Sequence, residues 1–141
     1  PAYGAEVRGG SAYCMVIISD DEIGSPYIKE ADALISLNTL SLNRFKNRVK
    51  KNGFCILNSS FDTAGMGNKT NVLKYPFSDI AIKLGNIKVA NMVALGCYLE
   101  YKKIVTSNTI FKIIKKNAPA DKQGLIEVNR QAYLAGARLL Q

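Results

Sequence analysis

The stretch ADALISLNTLSLNRFKNRVKKNGFCILNSS, residues 31–60, decides the fold. It opens on the apolar run 31–36 and closes on a second one, Phe54-Cys55-Ile56-Leu57, each the length of a buried strand. Between them, residues 41–51 read as a helix: Leu42, Phe45 and Val49 fall at i, i+3 and i+7, with Arg and Lys in the gaps. Asn52-Gly53 then ends the helix, with Gly53 as its C-terminal cap. A strand–helix–strand order with nearly continuous apolar strands specifies a mainly parallel sheet covered by helices. The expected fold class is therefore α/β.

Outward from this unit, residues 13–18 read as a preceding strand, ended by Ser19-Asp20-Asp21, with a turn at Ile23-Gly24-Ser25-Pro26. Beyond it, residues 61–69 form a loop broken by Gly65, Gly67 and Asn68, and residues 71–75 a fourth strand closed by Pro76. Ser78 is expected to cap a short helix through Leu84, and Gly85-Asn86 breaks the chain again. Residues 89–101 are apolar nearly all round, the pattern of a buried helix. Two further helices are expected at 107–116 and 122–140, the last with Leu125, Val128, Ala132, Gly136 and Leu139 on one stripe. No repeat, low-complexity tract or long linker interrupts residues 1–141, so a single domain is expected.

In parallel sheets ligands gather outside the carboxyl ends of the strands. Here those ends read Ser19-Asp20, Ser36-Leu37-Asn38 and Asn58-Ser59-Ser60, all small or amide residues able to hydrogen-bond a ligand. The same residue types also serve simply as turn and cap formers.

Composition narrows the chemistry. With 48% apolar and 21% charged residues, the 141-residue chain has the make-up of an ordinary globular domain. It has no His and no C-x-x-C; Cys14, Cys55 and Cys97 are scattered in apolar company. That excludes zinc-finger spacing, haem attachment and a Cys-His nucleophile, and leaves buried free thiols in a reducing, cytoplasmic setting as the expectation. An iron–sulfur cluster held by this chain alone would need more thiolates close together. No G-x-G-x-x-G loop, Walker motif, G-x-S-x-G, paired-carboxylate signature or metal cluster is present, and no catalytic residue can be named. No apolar stretch is long enough to span a bilayer. No signal peptide opens the chain, and the absence of an initiator Met points to missing upstream sequence. The net charge of +8 suits nucleic acid, anionic cofactors or acidic partner subunits, although lysines on solvated helix faces read the same way. The basic residues Arg44, Lys46, Arg48, Lys50 and Lys51 gather in one region, without the interleaved aromatic platform of single-strand binders.

One further segment stands out: Tyr3-Gly4-Ala5-Glu6-Val7-Arg8-Gly9-Gly10-Ser11-Ala12-Tyr13-Cys14. A Gly pair lets the backbone take positive φ and lets another surface approach closely. The Arg beside it offers a rigid, permanently charged fork for carboxylate or phosphate. The segment also reads as a plain turn ahead of a strand, with Glu6 and Arg8 as a surface ion pair.

The spelling of that segment, followed by Val16-Ile17-Ile18-Ser19-Asp20 and Ile23-Gly24-Ser25-Pro26, resembles the gamma subunit of 2-oxoacid:ferredoxin oxidoreductases. Residues 31–38 look like that family's "ADxLIxxN" strand, and residues 53–60 like its "GGxxIxNSS" strand and loop. Leu84-Gly85-Asn86 with Asn91-Met92-Val93-Ala94-Leu95-Gly96 looks like its "GNxxxxNMxxLG" helix, and Asn129-Arg130-Gln131-Ala132-Tyr133 with Gly136 like its terminal helix. Each piece is weak alone; the collinear series is specific. Members usually start with a strand and a Gly-rich "GxGGQG" turn, so the resemblance implies an N-terminally truncated Rossmann-like domain.

The resemblance further implies oxidative decarboxylation of a 2-oxoacid with coenzyme A, giving acyl-CoA, CO2 and reduced ferredoxin. Glu-Val-Arg-Gly-Gly-Ser-Ala is closer to the 2-oxoglutarate and branched-chain types than to the pyruvate type, and 2-oxoglutarate is favoured. Thiamine diphosphate with Mg2+ and [4Fe-4S] clusters would sit on partner subunits, with no cofactor bound by this chain alone. Expected partners are the alpha and beta subunits, with delta as an option, and ferredoxin as electron acceptor, but neither nucleic acid nor a membrane. Glu6, Arg8, Gly9 and Gly10 are the expected residues facing the anionic cofactor or substrate at a subunit junction, with Asn58 and Ser59 second. The rival readings are a non-enzymatic basic α/β module binding RNA or a protein, and a purely structural subunit.

Overall fold

The computed structural model describes residues 2–3, 12–63, 71–119, 121 and 123–141. Three parallel strands form the sheet: β3 (Ala31–Ser36), β4 (Val49–Asn58) and β5 (Asn71–Tyr75), in the order β3-β4-β5. Before them, β1 (Ala2–Tyr3) and β2 (Ala12–Tyr13) make a separate antiparallel pair, Ala2 opposite Tyr13 and Tyr3 opposite Ala12. The helices are α1 (Thr39–Phe45), α2 (Phe77–Lys83), α3 (Ala90–Lys102), α4 (Ser107–Asn117) and α5 (Gly124–Ala137).

The central strand β4 explains the layering. Successive side chains of a strand point to opposite faces, and both faces of β4 are apolar. Phe54 and Ile56 turn toward α2, α3 and α5, packing with Phe77, Ala81, Val93 and Ala132. Cys55 and Leu57 turn the other way, onto Leu42 of α1 with Leu34, Val49 and Val72. The result is the expected α/β arrangement of a parallel sheet between helices. A smaller cluster of Leu99, Ile110 and Tyr133 fastens α4 to α3 and α5, with the Phe111 ring edge-on to Tyr133 at 5.5 Å.

Helices α3 and α5 touch backbone to backbone. A Cβ on Gly96 would lie 2.0 Å from the Tyr133 carbonyl oxygen, and one on Gly136 would lie 1.8 Å from that of Val93. This contact accounts for an α3 that is apolar nearly all round: it is covered by α2, α5 and the sheet.

Several expectations need correction. The helix predicted over 41–51 ends at Phe45, passes through a 3-10 turn at Lys46–Arg48, and gives way to β4 at Val49. Val49 pairs with Ala31, so ladder pairing overrides the helical spacing of Leu42, Phe45 and Val49. Gly53 is therefore no helix cap. It lies inside β4, where the β3–β4 register shifts, and a Cβ there would stand 2.9 Å from the Asp32 carbonyl oxygen. Of the strand predicted over 13–18, only Tyr13 forms a ladder. Met15 and Ile17 are half-buried while Cys14, Val16 and Ile18 are exposed. The period of two survives, but strand propensity needs a hydrogen-bonding neighbour to become a strand. Cys14 is correspondingly an exposed thiol, while Cys55 and Cys97 are buried. Ser78 does not cap α2: Pro76 holds the N-cap position and Ser78 is buried as the second residue of the helix. The strand at 71–75 and the helices α3, α4 and α5 stand where the pattern put them, and Gly85 takes the positive φ of +83° that its break requires.

Candidate functional site

Two of the three predicted strand ends converge at the carboxyl edge of the sheet; the third, Ser19-Asp20, lies outside it, with the Ser19 hydroxyl accepting from the Asp21 N–H in a local turn. At the end of β3 the Ser36 hydroxyl donates to the Asn38 carbonyl at 3.0 Å, and the Asn38 side chain caps α1 by accepting from the Ser41 N–H at 2.8 Å. Next to it, Asn58 ends β4 fully buried.

Asn58 is the hub of this edge. Its Nδ2 donates to the Leu37 carbonyl at 3.1 Å and to Ser78 Oγ at 2.8 Å; its Oδ1 accepts from the N–H of Ser60 and of Ser78, each at 3.3 Å. An amide has two donors and two acceptor sites, so all four are engaged inside the protein. Asn58 thus ties the end of β3, its own loop and the start of α2 together, and leaves a ligand no free group on its side chain. Ser59 is exposed, its N–H donating to the Tyr75 carbonyl at 2.9 Å, and Ser60 Oγ accepts from the Asp79 N–H at 3.3 Å. Thr39 Oγ1 donates to the Asp62 carbonyl at 2.7 Å, closing the loop against α1. Of the two strand-end candidates, Ser59 is exposed and Asn58 is committed to holding the loop. Ser78 was missed as part of this network; the only signal was a small polar residue where the helix buries its first turn.

Glu6, Arg8, Gly9 and Gly10 lie outside the described residues. The flanking strands β1 and β2 pair side by side, and the second is held against α1 by the Tyr13 and Phe45 rings, whose centroids are 5.0 Å apart.

The strand-end loop carries the acidic Asp62, and Asp79 stands beside it at the start of α2. The carboxylates held below their ordinary range belong elsewhere: Asp32 by a hydrogen bond from Lys50 at 2.7 Å, Glu100 by one from Lys103, Glu127 by one from Arg130. Burial pushes the Cys55 and Cys97 thiols up to about 11, so neither is a thiolate near neutral pH. Among the described residues no three His, Cys, Asp or Glu gather in a way that could hold a metal ion. Nor is any helix of the described residues long and apolar enough to cross a membrane. Hydroxyls, backbone groups and one committed amide can position a ligand or a neighbouring loop; they supply no acid–base pair.

A parallel sheet between helices is the α/β class of architecture, in which ligands gather outside the carboxyl ends of the strands. The sequence profile described as "Pyruvate ferredoxin/flavodoxin oxidoreductase" matches residues 1–139, and the chain belongs to that family. It is 34% identical to the ketoisovalerate oxidoreductase subunit VorA of Methanothermobacter thermautotrophicus over 97% of its own length, and spans 28% of that relative. It is 31% identical to the 2-oxoglutarate synthase subunit KorC of Methanocaldococcus jannaschii, covering 96% of this chain and 72% of that one. Its fold matches the gamma subunit of a keto/oxoacid ferredoxin oxidoreductase from Geobacter sulfurreducens with a TM-score of 0.69, at 23% identity, over 76% of this chain and 62% of the other.

Proposed function

We propose that this chain is the gamma-type domain of a multi-subunit 2-oxoacid:ferredoxin oxidoreductase, acting in the cytoplasm. The reaction is oxidative decarboxylation of a 2-oxoacid with coenzyme A to acyl-CoA, CO2 and reduced ferredoxin. The observation that carries this reading is the family match across nearly the whole chain. The relatives divide between a branched-chain 2-oxoacid and 2-oxoglutarate; the Glu-Val-Arg-Gly-Gly-Ser-Ala spelling favours 2-oxoglutarate.

In this reading the chain shapes and positions, and other subunits carry the chemistry. Thiamine diphosphate with Mg2+ and the [4Fe-4S] clusters belong to the partner subunits. Glu6, Arg8, Gly9 and Gly10 form the loop at the subunit junction that faces the anionic cofactor or substrate, Arg8 offering it a guanidinium fork. Ser59 presents a second polar contact, held in place by Asn58.

The test is anaerobic affinity purification of the tagged chain from its native source, followed by CoA-dependent reduction of a viologen dye. 2-Oxoglutarate, 2-oxoisovalerate and pyruvate are offered in turn. Co-elution of a thiamine-binding subunit with activity on one acid is the expected result; a chain that elutes alone and inactive overturns the reading. Arg8→Ala should depress turnover in the assembled complex, and unchanged kinetics would remove Arg8 from the site.

A further inference from the structure

In the linear sequence Phe45 is the one aromatic among the basic residues of region 44–51, and the fold brings Tyr13 and Tyr27 beside it. Arg44 lies 4.9 Å from the ring centroid of Tyr13 and 5.2 Å from that of Phe45. Arg48 lies 5.6 Å from Tyr27 and 5.8 Å from the same Phe45 ring. Three segments distant in sequence thus build one arginine–aromatic stack. A guanidinium resting on a ring keeps its N–H donors free at the edge and loses little freedom when they bind. Among the described residues neither arginine has a carboxylate partner; the ion pairs are Lys50–Asp32, Lys103–Glu100 and Arg130–Glu127.

The stack has an apolar neighbour. Leu40 precedes Arg44 by one turn of α1, so the two share one side of that helix, and Arg48, in the 3-10 turn that follows, meets Arg44 at their shared Phe45 ring. Leu40 is 80% exposed and Tyr27 59%. Large apolar side chains left in water beside pre-oriented arginines are the make-up of a protein interface core, where aromatics and Arg are enriched and Lys is depleted. A single-stranded nucleic acid would need open ring faces for its bases, and a guanidinium already lies over each of Tyr13, Phe45 and Tyr27.

We infer that the Leu40–Arg44 side of α1, with Arg48 and Tyr27, is a docking surface for a partner protein that presents carboxylates around an apolar anchor. The inference rests on the proposed function in that the partner is another subunit of the oxidoreductase. The net charge of +8 favours an acidic partner of this kind.

The test uses the full chain co-expressed with the other subunits, with assembly affinity read by surface plasmon resonance. Arg44→Glu/Arg48→Glu should weaken assembly at least about thirtyfold, the scale of interface hot-spot arginines. Arg44→Lys/Arg48→Lys should recover part of it. Leu40→Glu serves as a second variant: the side chain is exposed, and an acid in the first turn of a helix is favourable, so its melting temperature stays at the wild-type value while assembly weakens. Wild-type affinity in both Glu variants overturns the surface. Failure of the wild-type chain to assemble is a failure of the function reading instead. The surface is then judged on the chain alone, by fluorescence anisotropy with a labelled polyglutamate peptide and with oligouridine. Arginine-dependent binding of the peptide over the oligonucleotide sustains it; the reverse preference, or no binding, overturns it.

Discussion

Replacing Gly136 by Ala tests whether the α3–α5 backbone contact organises the fold. The added Cβ would stand 1.8 Å from the Val93 carbonyl oxygen, 2.7 Å from its carbon and 3.0 Å from the Cys97 nitrogen. A carbon–oxygen contact relaxes at about 3.3 Å, so the helices must part by about 1.5 Å. The obstacle is backbone, which cannot swing aside as a side chain would. A gap of even 0.5–1 Å forfeits roughly a quarter to a half of each dispersion contact across it. The contacts at risk are those of Val93, Ala94, Cys97 and Ala132, all fully buried. Crowding of this severity belongs at or above the upper end of overpacking costs, roughly 3–5 kcal/mol. The better helix propensity of Ala returns about 1 kcal/mol. The net loss is about 2–4 kcal/mol, or about 6–12 °C in melting temperature for a chain of this size. Thermal and urea unfolding followed by circular dichroism measure it. Gly24→Ala is the control, since a Cβ there meets nothing within 4 Å. Gly96→Ala should behave like Gly136→Ala, and the double variant should lose less than the sum, because one separation relieves both clashes. A Gly136→Ala chain that melts at or above the wild-type temperature would refute the reasoning.

Three other outcomes are expected. Asn58→Ala strands the Leu37 carbonyl and both hydrogen-bonding groups of buried Ser78, for about 2–4 kcal/mol in urea unfolding at the 1–3 kcal/mol usual for each unsatisfied group, partly relieved by water; a loss under about 1 kcal/mol would show that the hub is dispensable. The Asp32 carboxyl is held below its ordinary 3.8 by Lys50, so the pair's contribution is complete above that value and lost as pH falls through the lowered folded value. Because both side chains are largely exposed, the contribution is small; the urea midpoint of wild type should fall slightly more than that of Asp32→Asn on acidification, and less so in high salt. Finally, a thiol reagent at a pH of about 8 should modify Cys14 alone in the native chain and all three cysteines in denaturant, since Cys55 and Cys97 are buried and pushed up to about 11; fast labelling of a second native thiol would contradict the packing.

Local composition was enough for much of this protein. The apolar runs of β3 and of residues 54–57, the all-round apolar pattern of α3, the amphipathic α4 and the break at Gly85 are each written in a few neighbouring residues, because helix and strand periodicities are local properties of the chain. The polar strand ends were visible for the same reason, and the order of the elements dictated a parallel sheet. What the linear pattern could not contain were facts about pairs of distant segments. Val49 joins β4 because Ala31 offers it a ladder, and Gly53 is needed where Asp32 approaches. Residues 14–18 look like a strand but find no strand to pair with among the described residues. The roles of Asn58 and Ser78 follow from four hydrogen bonds spanning β3, β4 and α2, and the arginine stack from rings contributed by residues 13, 27 and 45. Close approach, hydrogen-bond saturation and ring stacking depend on distances across the fold, and only the packed tertiary structure sets those distances.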